Sequence, residues 1–266
     1  MSARVALRLG LALCGAAMGL DAAQAFASWR TIGPGIEYRR TSTAGQEIHV
    51  ARIDLRRPGV SVRTTRRSDW YQTTSAFGRR YGASVAINGD FFTARTVSGL
   101  AIAGGVRLHG DTRRETFVAF GANHRVLMQE RAAEVLRDAA VPSWVREAVG
   151  GQPTVLWKGV QVPCALRFCQ QRHPRTAVGL SAERRFLLLV VVDGRRAGAA
   201  GMTIAELGGY LASLGARWAV NLDGGGSSTM WVEDRVVNQP SDGRERVVAN
   251  HLGVIGNSSK KWIQLK

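Results

Sequence analysis

The chain has 266 residues, of which 45% are hydrophobic and 21% charged, so intrinsic disorder is excluded and one large folded domain or two small ones are expected. The net charge of +16 would suit a nucleic-acid-binding protein, but the basic residues are mostly arginines spread along the chain, without any recognisable nucleic-acid-binding motif. No nucleic-acid partner is therefore expected, and the charge indicates either anionic partners such as phosphate-bearing glycans, acidic polysaccharide or a lipid surface, or a general bias of composition.

Residues 1–27 have the pattern of a cleavable signal peptide. Arg4 and Arg8 form a basic start, residues 9–20 are apolar, and small residues near the end of the segment offer a cleavage site. The apolar run of about a dozen residues is shorter than the roughly 20 that cross a bilayer. We therefore predict export to the periplasm or outside the cell, with no transmembrane segment after the leader is removed.

The first half of the mature chain has strand patterns and one helix pattern. Residues 47–54 alternate between apolar and polar, and a Pro-Gly turn leads to a second short strand over 60–63, which predicts a hairpin. Residues 73–81 have a helical composition with a polar start. Residues 83–88 then predict a buried strand that brings Asn88 to its carboxyl end.

The middle of the chain contains glycine-broken strands and an alanine-rich region. Residues 100–106 and 116–128 are typical of hairpins, because Gly-containing turns interrupt them. The region 130–150 predicts helices, including a short one over 144–149. Residues 154–157 predict another strand.

The last hundred residues have the most regular pattern. Strands are predicted over 175–180, 185–192 and 217–222, and a helix precedes the last of them, with Thr203 and Glu206 forming a capping box at its start. This is a β-α-β pattern, which favours parallel pairing and a right-handed crossover. The predicted fold is a single α+β or α/β domain with a mixed β-sheet, β-hairpins and a C-terminal β-α-β unit.

The chain has three cysteines, and Cys14 lies in the predicted leader. Cys164 and Cys169 are close in sequence, and in an oxidising compartment such a pair predicts a disulfide that closes a small loop. A zinc site with His173 as third ligand is the alternative, although no second CxxC-type pair exists to complete it. We therefore expect the disulfide, and no metal.

Three predicted strands end in a polar residue close to glycine: Asn88-Gly89, Asp193-Gly194 and Asn221-Leu222-Asp223-Gly224. Glycine permits tight turns and close approach of backbone to a ligand, so these ends predict one shared pocket rather than three unrelated turns. The loop after Asp223 offers backbone amides and serine hydroxyls to an anion. It lacks the lysine of a nucleotide-binding loop and the GxSxG pattern of a serine hydrolase.

Taken in order, these motifs resemble the phosphodiester glycosidase family over about residues 45–256, nearly all of the mature chain. The motifs that carry the resemblance lie at 87–92, 175–179, 192–195, 201–206 and 221–230. The resemblance implies hydrolysis of the bond between the anomeric carbon of a sugar and a phosphodiester oxygen, in a phosphate-linked glycan or an exopolysaccharide-related substrate. It implies no cofactor.

Roles for individual residues follow from this implied reaction. A carboxylate is needed to stabilise the sugar or to activate water, and cationic or polar groups are needed for the phosphate and the hydroxyls. The catalytic candidates are Asp223, Glu206 and Asp193. The substrate-binding candidates are Asn88, Arg175, Asn221, Gly224, Gly225, Gly226, Ser227 and Ser228. Glu206 has a purely structural alternative as the capping-box partner, and Asp193 has one as a turn residue.

Two other functions fit the same residues. A non-catalytic envelope protein would bind anionic glycan through the glycine loop and its basic surface. A phosphodiesterase would cut the P–O bond instead of the C–O bond. The sequence does not separate them from the glycosidase.

Overall fold

The computed structural model describes residues 28–43, 45–94, 96–109, 116–129 and 141–256. The predicted signal peptide and residues 130–140 of the predicted helical region lie outside these ranges. The strands are β1 Arg30–Gly33, β2 Ile36–Thr43, β3 Gln46–Asp54, β4 Ser61–Thr64, β5 Val85–Asn88, β6 Ala101–Ala103, β7 Val106–His109, β8 Thr116–Gly121, β9 Val126–Gln129, β10 Val145–Gly151, β11 Thr154–Trp157, β12 Val160–Gln161, β13 Arg175–Ser181, β14 Phe186–Val192, β15 Ala216–Asn221, β16 Met230–Val232, β17 Arg235–Val236 and β18 His251–Ile255. The α-helices are α1 Thr74–Tyr81, α2 Arg167–Gln170 and α3 Ile204–Ser213, and short 3-10 helices span Arg67–Asp69 and Gly225–Ser227.

Sheet I is the largest sheet, with strand order β1-β2-β3-β14-β13-β15-β11-β12. Its central strand β14 is almost entirely apolar and is buried on both faces, which explains why the sheet forms around it. On one face, Val190 packs in a cluster with Leu207 and Leu211 of α3. On the other face, Val191 packs in a cluster with Ile87 of another sheet. Sheet I is therefore the middle layer of the molecule.

Two five-stranded sheets complete the fold. Sheet II has the order β17-β16-β5-β18-β4, and sheet III has the order β7-β6-β10-β8-β9. Both contribute apolar side chains to the core shared with sheet I. Helix α1 covers the outer face of sheet II, where Phe77 and Trp231 pack together. A Cβ atom on Gly78 would lie 2.5 Å from the Trp231 ring, so this helix can approach the sheet only through glycine.

The predicted β-α-β unit is present, but its strands are not paired with each other. Strand β13 lies between β14 and β15 and pairs antiparallel with both, so Ala177 is opposite Val190 on one side and Asn221 on the other. Every strand pairing in the described ranges is antiparallel, so the predictions of parallel pairing and of a mixed sheet are wrong. Both edges of β14 are occupied, by β13 on one side and by β3 on the other, so β15 does not pair with it.

Two further predictions are corrected by the strand pairing. The hairpin predicted from 47–54 and 60–63 does not form, because β3 pairs with β2 and β14 while β4 pairs with β18 in sheet II. The helix predicted over 144–149 is strand β10, held between β6 and β8. Burial of nearly all of β10 outweighs the helical preference of its Arg-Glu-Ala composition.

The other elements follow the sequence. The hairpins at 100–109 and 116–129 and the strand at 154–157 are confirmed. Thr73 caps α1, and both hydrogen bonds of the Thr203–Glu206 capping box are present at the start of α3. Gly215, with φ of +87°, follows the end of α3.

Candidate active site

A cavity of about 260 Å³ opens where β13 begins and β15 ends. Asn221 and Asp223 line it, so the glycine-rich loop forms one wall as expected. Asn88 lies against this wall, because its side chain is hydrogen-bonded to the loop. The lining residues are Phe91, Phe168, His173, Pro174, Arg175, Arg195, Asn221, Asp223, Gly224, Gly225, Gly226 and Arg246.

Asn88 connects three chain segments behind the wall of the cavity. It is fully buried, and its Nδ2 donates to the carbonyl oxygen of Asp223 at 2.7 Å. Its Oδ1 accepts from the Thr176 hydroxyl at 2.8 Å and from the Thr229 amide at 3.1 Å. The Asn88 amide is thus engaged within the protein, and it fixes the position of the loop that carries Asp223.

Asp223 is the only carboxylate among the described residues that line the cavity. Burial raises the pKa of its carboxyl group above the ordinary value, and hydrogen bonds from the Ser227 hydroxyl and the Gly224 amide, together with the charge of Arg246, oppose the rise. Its backbone amide donates to the Gly89 carbonyl at 3.1 Å, which ties the loop to the end of β5. A partly buried carboxyl with a raised pKa suits proton transfer.

Arg175 is a buried cation held by backbone carbonyls. Only 3% of the residue is exposed, its Nε donates to Met202 O at 2.8 Å, and its Nη2 donates to Phe168 O at 2.7 Å and Gln171 O at 2.9 Å. Burial, and then the charge of Arg195, lowers the pKa of the guanidinium to about 10, so it stays charged at neutral pH.

The Nη1 group of Arg175 is available to a ligand. Within the described part of the chain, neither an acceptor for Nη1 nor a carboxylate partner for the guanidinium is found. A buried cation without a counter-ion, at the wall of a cavity, is the arrangement that binds an anion.

Two more arginines face the cavity, and neither was among the predicted binding residues, although Arg195 ends the 192–195 motif. Arg195 adopts a left-handed backbone conformation with φ of +59°, and its guanidinium lies 3.3 Å from His173 Nδ1. Arg246 donates to the Ser227 hydroxyl at 3.2 Å and forms an ion pair with Asp242 at 2.6 Å. Burial, followed by the charges of the neighbouring arginines, lowers the pKa of His173, so this ring is neutral at neutral pH. Cations therefore outnumber carboxylates around the cavity.

The glycine loop supplies shape more than free amides. Gly225 donates to Pro174 O at 2.9 Å, and the amides of Ser227 and Ser228 donate within the loop itself. A Cβ atom on Gly224 would lie 2.7 Å from Pro174 O, so the loop packs against the start of β13 only through glycine. Two positions further on, Gly226 lies under the Asp242–Arg246 ion pair, with which a Cβ atom would clash.

Two polar atoms of the loop have no partner in the described protein. Asn221 is 1% exposed, and its Nδ2 donates to Gln152 O and Leu222 O at 2.8 Å, whereas its Oδ1 accepts no hydrogen bond. The buried Ser228 hydroxyl is likewise unpartnered. Buried polar atoms are normally satisfied, so these two atoms are exceptions in the segment that forms one wall of the cavity.

Asp193 and Glu206 lie outside the cavity. Asp193 is 2% exposed and accepts from Asn238 Nδ2 at 2.9 Å and from the Gln239 amide at 3.0 Å, while Asn238 also donates to Ser228 O. Glu206 completes the capping box of α3 and pairs with Arg172 at the surface. Both carboxylates hold neighbouring protein groups.

Cys164 and Cys169 form the disulfide that the sequence predicts, which rules out their use as zinc ligands. Elsewhere in the described ranges, no group of three or more His, Cys, Asp or Glu side chains is arranged to hold a metal ion. Nor does any described helix have the length and apolar character to cross a membrane.

Comparison with known proteins adds a family match. A family model described as phosphodiester glycosidase matches residues 81–255. Among curated proteins, the SPbeta prophage-derived uncharacterized protein YomE of Bacillus subtilis is 39% identical over 83 residues, which cover 31% of this chain and 13% of that protein. The matched part is thus a small fraction of that longer relative.

Solved structures share the fold. The catalytic domain of zebrafish N-acetylglucosamine-1-phosphodiester alpha-N-acetylglucosaminidase, auto-inhibited by its pro-peptide, superposes with a TM-score of 0.68 at 19% identity, covering 87% of each chain. A hypothetical protein from Synechocystis also gives 0.68 at 18% identity, covering 84% of this chain and 62% of the other. A protein of Burkholderia pseudomallei described as exported gives 0.60 at 18% identity, covering 79% and 74%.

Proposed function

The chain belongs to the phosphodiester glycosidase family, and we propose that it is an exported hydrolase that cleaves the glycosidic C–O bond of a sugar-1-phosphodiester in the cavity beside Asp223. The observation that carries this proposal is that Asp223 and the buried guanidinium of Arg175, which has no counter-ion among the described residues, line the same cavity. The Asp223 carboxylate suits proton transfer at the sugar, and the Arg175 guanidinium suits binding of the phosphate.

The phosphate contacts Arg175 through Nη1. Arg195, which follows the end of β14 beside the start of β13, supplies the second positive charge. Fork-shaped guanidinium groups bind phosphate oxygens in pairs, and a site of low dielectric strengthens these contacts. Because phosphate is already a good leaving group, stabilising its developing charge matters more than protonating it strongly. The arginine-rich cavity meets that requirement without a metal-based step.

Asp223 acts as the base toward water. The carboxylate takes a proton from the water molecule, the water oxygen forms the new bond to the anomeric carbon, and the electron pair of the breaking C–O bond leaves with the phosphate. The free sugar and a phosphate monoester are the products. Phe91 and Phe168 provide apolar surface for the sugar ring, and Asn221 lies in the wall beside Asp223.

Asn88, Asp193 and Glu206 act by positioning rather than by touching substrate. Asn88 holds the Asp223 carbonyl, and Asp193 holds Asn238, which in turn bonds the Ser228 carbonyl. Glu206 stabilises the start of α3. The catalytic carboxylate of the proposal is therefore Asp223 alone.

Export, and a phosphate-linked or exopolysaccharide-related glycan as substrate, are part of the same proposal. The leader pattern in residues 1–27 and the Cys164–Cys169 disulfide support an oxidising compartment outside the cytoplasm.

The test is release of free sugar from a panel of glycosyl phosphodiesters by the purified mature protein. Asp223→Asn should lower kcat/KM by about 10³-fold, the range expected for loss of a general base. Glu183→Gln, which also removes one carboxylate, should leave kcat/KM unchanged because Glu183 is exposed and lies outside the cavity. Saturable glycan binding without any sugar release would instead identify the non-catalytic envelope protein.

A further inference from the structure

A second cavity, of about 340 Å³, lies between sheets II and III, and it shares no lining residue with the cavity at Asp223. It is lined by the start of β4, the turn between β8 and β9, and part of β10. Ser61 in its wall pairs with Ile255, whereas Asn88 pairs with His251 on the same strand. At about 3.3 Å per residue, the two sites are separated by roughly 13 Å along β18.

Three arginines line this cleft: Arg63, Arg125 and Arg146. None of them forms an ion pair with any described carboxylate, whereas Arg52 and Arg185 elsewhere on the surface do so at 2.6 and 2.7 Å. Uncompensated cations in a concave surface reinforce one another and attract anions. The cleft therefore brings three exposed arginines together in one concave surface without an ion-pair partner among the described carboxylates.

Glu147 is the single acidic residue of this lining. It is 5% exposed, and its Oε2 accepts from the Thr64 amide at 3.0 Å and the Thr64 hydroxyl at 2.6 Å. Its Oε1 accepts from the Gly104 amide at 3.3 Å. Both oxygens accept hydrogen bonds from neutral donors at the junction between sheets II and III, and Arg63 acts on Glu147 through its charge without a direct ion pair.

The turn at the rim of the cleft has an unfavourable backbone. Asn123 and His124 both have positive φ, at 54° and 61°, in a two-residue hairpin turn that normally selects Asn-Gly. A non-glycine residue in this region is disfavoured, and such outliers concentrate at functional sites. The ring of His124 is nevertheless held in the lining, with Nδ1 donating to the Leu55 carbonyl.

We propose that this cleft is a second, non-catalytic binding site for an anionic group, a phosphate or carboxylate carried by a glycan chain. The guanidinium groups bind the anion, and the His124 ring adds a further polar contact at the rim. Its volume suits one sugar-sized unit. The glycan part of the ligand rests on the proposed function, whereas the anion part rests on the cleft alone.

The experiment measures equilibrium binding of phosphomannan, alginate and neutral dextran to the full mature chain, in an Asp223→Asn background that prevents turnover. The variant Arg63→Gln/Arg125→Gln/Arg146→Gln should lose at least about tenfold in affinity for one or both anionic polymers. A control, Lys158→Gln/Arg184→Gln/Arg217→Gln, removes the same charge from exposed positions outside the cleft and should retain affinity. Loss with phosphomannan alone identifies phosphate as the ligand group, and loss with alginate alone identifies carboxylate.

Three outcomes would overturn the proposal: unchanged binding by the cleft variant, equal losses in both triple variants, or an equal loss toward dextran. Melting temperatures exclude misfolding of the variants. With Asp223 restored, the cleft variant should hydrolyse a small glycosyl phosphodiester as the parent does. If the parent itself hydrolyses none, the proposed catalytic function fails while the binding comparison still stands.

Discussion

Removing the Cys164–Cys169 disulfide should weaken catalysis through Arg175. The bond closes the short loop 164–169, which includes most of α2. Phe168 in this loop and Gln171, two residues beyond it, supply two of the three carbonyls that hold the Arg175 guanidinium. A four-residue helix has no stability of its own, so the tertiary contacts and the disulfide must maintain it.

The expected size of the effect follows from the loop length and the hydrogen bonds. Closing so short a loop contributes about 2 kcal/mol in the chain-entropy account of disulfides, similar to one hydrogen bond to a charged group. If Arg175 loses that much of its positioning, kcat/KM for a glycosyl phosphodiester falls by about 30-fold at 1.36 kcal/mol per factor of ten. The variant to make is Cys164→Ser/Cys169→Ala.

The assay compares kcat/KM for wild type and the double variant, each with and without dithiothreitol. We expect the reductant to lower wild-type activity to the level of the variant and to leave the variant unaffected. Wild-type kcat/KM in the double variant would refute the reasoning. Equal inhibition of both proteins by the reductant would also refute it, because the effect would then not pass through the disulfide.

Three further predictions concern stability. Asn88→Asp replaces the amide group that donates to the Asp223 carbonyl with an oxygen that faces it. The free energy of unfolding in urea should fall by about 3 kcal/mol, and an unchanged unfolding midpoint would contradict the positioning role of Asn88. Because burial raises the pKa of Asp223, ionisation of this carboxyl lowers the stability of the fold as pH rises through the folded pKa. Asp223→Asn should therefore have a higher melting temperature than the wild type at pH 7, and the difference should shrink in acid. A lower melting temperature of the variant at pH 7 would contradict this prediction. Burial lowers the pKa of His251 from the ordinary 6.5 to about 3, so between these values only the unfolded chain binds a proton at this residue. The free energy of unfolding should fall by up to about 1.4 kcal/mol for each unit of pH lost in that range. His251→Asn should reduce this slope in urea unfolding measured as a function of pH.

Local signals in the sequence predicted local structure well. The capping box at Thr203, the Gly-Gly turn at 104–105 and the apolar run of β14 each act within a few residues, and each element forms where expected. Pairing between distant strands has no such signal. The order β14-β13-β15 depends on pairing between strands that are distant in the chain, such as β3 with β14, and β10 is a strand because two neighbouring strands bury it.

Some residues of the candidate site are marked by a local sequence pattern, and others are not. Asn221 and Asp223 were identifiable because glycines surround them, and Arg175 stood out with its strand. Arg246 reaches Ser227 from 19 residues along the chain, with no local pattern to mark it. Arg195 follows Asp193-Gly194 directly, and its positive φ is the only unusual feature of its position. Asp193 and Glu206 have the composition of catalytic residues, yet their partners are protein groups.

The central claim is C–O cleavage at the sugar, and hydrolysis in ¹⁸O-labelled water tests it most directly. A glycosyl phosphodiester is turned over by the purified enzyme, and both products are analysed by mass spectrometry before the free sugar exchanges its anomeric oxygen. If water attacks the anomeric carbon, the released sugar carries the label and the phosphate monoester carries none. Label in the phosphate would mean P–O cleavage and would contradict the roles assigned to Asp223 and Arg175.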